Sequence, residues 1–351
     1  NGMIPHIVFR QNDPDYYPGP DIWLSNNEPP TSCLSQPPVL ASVVLQMVEK
    51  GTPYDSRKAR EIFSRLMASH RWFMESRDPE NSGVIATVHP WETGRDNCPD
   101  WDMGLKNVEV PDELESYTRR DTMHVENQQR PTQKEYDKYM SIVHFGKKVG
   151  WDNNVLYNEG PFLMADPGIQ FILLRATKDL LQLATHLKVD EALNEINNWV
   201  DLLTTGSQWL WNETVGGFCA RDIRTGNFSD GITNASMLCF YANVGNELQQ
   251  KKMGAHCERI LKKCKYAFPS WDPEHKSFDK ILNIISKYQS VYGTYGIHPH
   301  EAKFHKHIKT RNIIEKTNLN NKIIGIGETS LDFYYNHSEK NTKSIYLKSI
   351  Y

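Results

Sequence analysis

The chain divides by composition, and that division limits what it can fold into. All nine tryptophans lie at or before Trp271, and beyond residue 280 there is no Trp, Cys or Met. Ile, Lys and Asn become abundant there instead. Charge shifts with them. Residues 251–351 hold 18 Lys and Arg against 9 Asp and Glu, so the net charge of −3 hides an acidic balance of −12 before them. So abrupt a change marks a boundary between two units. No apolar run approaches the roughly 20 residues that a bilayer requires, so no membrane partner is expected. The lysines of the basic part are dispersed, which suits a solvated surface, and no nucleic-acid partner is expected either.

The opening residues, NGMIPHIVFRQ, hold no basic stretch followed by an apolar one, so no signal peptide is expected. The six cysteines (Cys33, Cys98, Cys219, Cys239, Cys257, Cys264) are far apart and form no CxxC. Reduced thiols and a cytoplasmic location are the expectation. The sequons at Asn212, Asn227, Asn234 and Asn336 then read as chance matches.

Before the boundary the periodic segments are helical. Asp55 or Ser56 can cap a helix whose apolar positions Ala59, Ile62, Phe63, Leu66, Met67 and Phe73 follow the 3.6-residue period. A second helix follows Asp166-Pro167 and carries Ile172, Ala176, Leu180, Leu183 and Leu187 on one face. A third carries Val189, Ala192, Leu193, Ile196, Trp199, Val200 and Leu203. Shorter helices are expected over Val39–Val48, Thr132–Val143, Asn234–Tyr241 and Leu248–Lys263. Long loops at 76–131 and 206–233, rich in Trp, Asp and Gly, separate them. Loops of that length in a helical domain are functional or disordered, and tryptophan argues against disorder. After residue 280 the pattern becomes strand (Ser290–Ile297), helix (Glu301–Thr317), strand (Lys322–Ile326), a parallel β-α-β reading.

The densest chemistry lies at His89–Asp102, HPWETGRDNCPDWD. It joins Trp91 and Trp101 to Glu92, Asp96, Asp100 and Asp102, with Arg95 between. Indole faces stack on pyranose rings. Carboxylates bind hydroxyls, and one can protonate a glycosidic oxygen. A polar turn with scattered tryptophans is the plainer alternative.

Residues 1 to about 278 resemble the catalytic domain of glycoside hydrolase family 63, above all its mannosylglycerate hydrolase-like members, and more distantly trehalases. The resemblance rests on NGMIPHIVF, YYPGPDIW, TSCLSQPPVLA, HPWETGRDNCPDWD, RRDTMHVENQQRPTQKEYDKY, GPFLMADPGIQFILLRATKDLLQLA and LWNETVGGFCARDIRTG, in that order. It implies a mainly α fold, an incomplete (α/α)6 toroid over 1–278 truncated at both ends. It implies inverting hydrolysis of a small α-glycoside (mannosylglycerate, glucosylglycerate or an α-glucosyl oligosaccharide) with no cofactor. Asp96, in Thr93-Gly94-Arg95-Asp96, takes the place of the general acid, with Glu92 and Asp102 as neighbours that raise its pKa. Asp100 is the weaker alternative for the acid, and reads instead as an exposed turn carboxylate after Pro99. Asp21, Trp23, Gln36, Trp91, Arg95 and Trp101 take substrate-binding places, against core packing for Trp23 and Trp91 and helix entry for Gln36. Arg120, Asp121 and His124 brace a loop.

The family's base is a Glu that follows a WRGPVW-like segment after a PSxDP element. PSWDPEHKSFD stands at Pro269–Asp279, but no WRGPVW follows it. Residues 283–351 instead resemble TatD-type metal-dependent deoxyribonucleases, through GTYGIHPHEA and KIIGIGETSLDFYYN. That resemblance implies a short α/β fragment of a TIM-barrel type. Glu328 would be its metal ligand and His298 a histidine near the substrate. Ser330 replaces a family glycine, and the other ligands have no counterparts. One carboxylate does not hold the divalent metals of phosphodiester hydrolysis, and so short a segment does not close a barrel of roughly 250 residues. Impaired glycosidase is thus the first expectation. An inactive sugar-binding module and a deoxyribonuclease remnant are the alternatives. Composition says nothing of oligomeric state.

Overall fold

The computed structural model describes residues 2–10, 16–51, 53–119 and 131–263, and further on the two short strands 291–293 and 333–335. The first block is helical. Its helices are α1 (Pro20–Trp23), α2 (Leu40–Lys50), α3 (Pro53–Ser76), α4 (Asp102–Lys106), α5 (Gln133–Lys148), α6 (Asn153–Glu159), α7 (Pro167–Leu187), α8 (Leu193–Ser207), α9 (Leu238–Ala242) and α10 (Glu247–Lys263). None of the described helices is long and apolar enough to cross a membrane.

Helix α7 organises the rest. It starts where the sequence predicts: the Asp166 carboxylate accepts the Ile169 N–H at 3.0 Å, and Pro167 takes the first turn, where no N–H is needed. It ends with Lys188 in the left-handed region. The expected apolar face is buried, except that Ile172 is only half-buried. Phe171, Leu173 and Leu174 are buried as well, so α7 is covered on more than one side. One flank meets α2 and α3 through Ala176, Leu180, Leu183 and Leu187 against Leu45, Phe63 and Met67. The other meets Trp72, Phe73, Leu203 and Phe218 through Phe171 and Leu174. Helices α2 and α3 form one hairpin, α7 and α8 another, and both pack on each other. This is the incomplete α/α toroid, with α7 inside it.

Caps set the other boundaries. Thr132 and Glu135 form a reciprocal capping box at the start of α5, and Asp152 caps α6. Close approach is made possible by glycine at one crossing. A Cβ on Gly83 (φ +78°) would sit 2.0 Å from the Leu202 carbonyl, and one on Gly206 would meet Gly83 at 2.1 Å.

Three short strands tie the long loops together. Strand β1 (Ala86–Thr87) pairs antiparallel with β2 (Met164–Ala165), and β2 with β5 (Arg221–Asp222). The turn between β3 (Trp211–Asn212) and β4 (Gly217–Phe218) lies beside α10. The loops after α3, before α7 and after α8 are thus held at one end of the helices.

Further along the chain, β6 (Val291–Gly293) pairs with β7 (Phe333–Tyr335), and the pairing is antiparallel. This is a different pair from the expected Ser290–Ile297 and Lys322–Ile326. The expected helix at 301–317 and the expected second strand at 322–326 lie outside the described residues, as do Glu328, His298 and Ser330.

Candidate active site

The loop from Arg77 to Trp101 is built on buried ions. Arg77, 1% exposed at the end of α3, donates from Nη2 to Glu92 Oε1 at 2.6 Å and from Nη1 to Asn153 at 2.8 Å. Glu92 also accepts the backbone N–H groups of Ser35 and Val88. All of that carboxylate's contacts face the scaffold. Glu92 is thus the buried counter-ion to Arg77.

His89 follows, fully buried. Its Nδ1 accepts the Trp91 N–H at 3.0 Å, so its proton is on Nε2, which donates to the Tyr139 carbonyl at 3.2 Å. Burial pushes its pKa down to about 3, and the ring is neutral. A 3-10 turn over Pro90–Thr93 ends at Gly94 in the left-handed region, φ +65°. Thr93 Oγ1 donates to the Pro90 carbonyl and accepts the Arg95 N–H.

Asp96 comes next, half-buried, on the turn from Arg95 to Cys98. Both carbonyls around it are held. Trp101 Nε1 donates to the Arg95 oxygen at 2.9 Å, and the Tyr139 hydroxyl donates to the Asp96 oxygen at 2.8 Å. The backbone of the candidate acid is therefore fixed by two buried aromatic side chains from different elements.

Beneath the turn lies an ion network. Arg95 Nη2 donates to Asp166 at 2.6 Å and to Asp100 at 2.9 Å. Its Nη1 reaches Cys98 Sγ, Thr233 and Asn234. Burial opposes the guanidinium charge, but Asp166 and Asp100 outweigh it and raise its pKa. Asp100 is 1% exposed, which corrects the expectation of an exposed turn carboxylate. It accepts from Arg95, Cys98, Ser229 and Thr233. Burial raises its pKa, against the pull of Arg95. Asp166 also sits at the N-terminus of α7, where the helix dipole favours its charge. Arg95 thus binds protein groups through both terminal nitrogens, while its buried Nε–H has no hydrogen-bond partner.

The other expected residues separate by exposure. Trp23 and Trp101 are 0% exposed. Trp23 donates to the Pro18 carbonyl and packs on Trp151; Trp101 packs edge-on against Phe162. Both stand in the core. Asp21 is exposed on α1. Gln36 is half-buried, and its amide donates to the Trp91 carbonyl at 3.3 Å. Trp91 is half-buried, its ring centroid 4.4 Å from His89, 6.2 Å from Tyr139 and 6.3 Å from Tyr136. Gln36, Trp91 and the Asp96 turn are therefore brought into one neighbourhood. Arg120, Asp121 and His124 lie outside the described residues.

Sequence reasoning missed Tyr139, Asp166 and Thr233. Asp166 is legible as a helix cap, but its partner lies 71 residues away. Tyr139 is legible only as an aromatic three residues after Tyr136 on α5.

Comparison with known proteins agrees with this architecture. The model of the mannosylglycerate hydrolase MGH1-like glycoside hydrolase domain matches residues 1–290. That of the TatD related DNases matches residues 239–348, overlapping the first. The chain is 37% identical over 283 residues to a mannosylglycerate hydrolase of Thermus thermophilus, covering 80% of this chain and 68% of that protein. It is 37% identical over 286 residues to mannosylglycerate hydrolase MGH1 of Selaginella moellendorffii, covering 80% and 58%. A solved GH63 mannosylglycerate hydrolase from Thermus thermophilus, in complex with Tris and D-glycerate, superposes with a TM-score of 0.73 at 37% identity, over 78% of this chain and 66% of that one.

Proposed function

The chain belongs to the mannosylglycerate hydrolase MGH1-like glycoside hydrolase family, and from that premise we propose that its first unit is the acid-side half of an inverting glycosidase site for a small α-glycoside of glycerate. The observation that carries the reading is the pinned turn. Asp96 projects from a backbone held at both carbonyls, in one neighbourhood with Trp91 and Gln36. In this reading Asp96 gives its proton to the glycosidic oxygen as the bond from C1 to that oxygen breaks. Water adds to the opposite face of C1 and loses a proton to a base. The products are the free sugar, with inverted anomeric configuration, and glycerate.

An inverting base stands roughly 6.5–9.5 Å from the acid. The residues after Asp279 carry no WRGPVW-like segment to supply it. The proposed activity is therefore slow. Gln36 and Trp91 are the proposed sugar contacts, and Asp21 a third at the edge. The mannosyl and glucosyl glycerates are the preferred substrates.

The test is sugar release from mannosylglycerate by the full chain, with Asp96→Asn beside it. A low rate that falls by about 10²–10⁴ in Asp96→Asn supports the proposal. Equal inertness of both proteins, with calorimetric binding of the glycoside retained, favours a sugar-binding module. Divalent-metal-stimulated DNA cleavage that is lost in Glu328→Ala overturns both.

A further inference from the structure

One residue of α5 touches both ends of the loop that carries the acid. The Tyr139 carbonyl accepts the Nε2–H of His89, and its hydroxyl donates to the Asp96 carbonyl at 2.8 Å. The ring between these two bonds is 0% exposed and lies against His89 and Trp91. The Thr132–Glu135 capping box and the buried neighbours Met140, Ile142 and Val143 fix α5 itself. Burial, with the charges of Asp96 and Asp102 beside it, drives the phenol far above its ordinary pKa. It is a donor at every working pH. Its bond acts on the peptide group that orients the Asp96 side chain.

We infer that Tyr139 is a positioning residue, through which α5 aims the Asp96 proton donor by a single O–H···O=C bond. The inference rests on the reading of Asp96 as general acid. A misplacement of about 1 Å costs a proton donor on the order of 10²-fold in rate. Loss of one hydrogen bond, with the ring kept in place, leaves the packing of the fold intact. The two effects therefore separate in a Tyr139→Phe variant.

The experiment uses the full chain with azide supplied as nucleophile, and two substrates that differ in their leaving group. Mannosylglycerate must expel a glycerate oxygen, which needs a proton from Asp96. α-Mannosyl fluoride expels fluoride, which leaves as an anion. In both, azide forms the new bond to C1 as the old one breaks. The ratio of the first rate to the second should fall by about tenfold or more in Tyr139→Phe. It should fall in the same direction in Asp96→Asn, with the unfolding midpoint of Tyr139→Phe within a few degrees of wild type. A ratio that falls in Asp96→Asn and stays unchanged in Tyr139→Phe overturns the positioning role and leaves the acid standing. A ratio unchanged in both overturns the acid itself. A second readout needs no turnover. The Asp96 carboxyl is followed by 13C NMR through a pH titration, with Asp96→Asn identifying its resonance. Tyr139→Phe should move its midpoint by about half a pH unit or more. An unmoved midpoint overturns the inference even where neither substrate turns over.

Discussion

Glu92 and Arg77 form an ion pair in which both side chains are at most 5% exposed. Removing one partner strands the other as a buried charge, which costs about 3–5 kcal/mol. Glu92→Gln should therefore lower the unfolding free energy by that amount in urea. Glu92→Gln combined with Arg77→Met should recover part of the loss. A loss below about 1 kcal/mol in the single variant contradicts the burial of the pair. Histidines add a pH dependence. Burial depresses the pKa of His89 to about 3 and those of His6 and His70 to about 4. Each is neutral when folded, and each gains a proton on unfolding below about pH 6.5. The unfolded chain thus binds more protons, and stability falls as pH drops from about 6.5 toward 4. Thermal unfolding should follow that slope, and His89→Gln should reduce it by about one proton. The motif around these residues was legible as chemistry, since aromatic and carboxylate groups crowd it. Which carboxylate faces solvent was not. Asp100 follows a proline and reads as a turn, but its four donors come from as far away as Thr233.

Among the elements, α7 carries the strongest expectation. Leu180 is buried between α7 and the α2–α3 hairpin. Leu180→Ala should cost about 2–5 kcal/mol, depending on how far the site collapses. Gln182→Ala on the same helix, which removes only an exposed hydrogen bond to Glu49, should cost less, on the order of 1 kcal/mol. Denaturant midpoints for the two variants check both. An equal small loss would mean that α7 lies at an edge of the fold. The start of α7 was legible because cap and period agree there, with Asp166-Pro167 before an apolar run. The start of α5 was placed by period, and the structure adds its Thr132–Glu135 capping box. Elsewhere, where only period is available, the boundaries slip. The segment from Asn234 to Tyr241 splits into a 3-10 turn and the short α9. The segment that opens at Val189 holds a second 3-10 turn before α8 begins. Helix α6 was not foreseen, since its seven residues are too few for a period to show. Short strands such as β1 and β2 escape for a similar reason, because two residues cannot display alternation.

At the scale of the whole molecule, the proposed acid Asp96 stands in a chain where no WRGPVW-like segment follows Asp279. Family resemblance proposes Asp96 as the acid because the motif around it is local. It could also show that the motif of the base is missing after Asp279, because that too is a matter of residue order. Folding physics adds what order cannot: the acid's turn is held by α5, by Trp101 and by the Arg95 network, all within residues 95–234. In the proposed reading, the contacts that hold the Asp96 turn do not draw on the residues after Asp279. A small anion that needs no base can therefore take the place of activated water. Azide should raise the consumption of α-mannosyl fluoride by the full chain several-fold above its rate in water alone. Because the proposed displacement is single, the product should be the β-mannosyl azide, identified by its anomeric proton in NMR. An α-azide would require two displacements and a covalent intermediate, which contradicts an inverting site. No stimulation, together with no binding of glycerate, would remove the glycosidase reading from this chain.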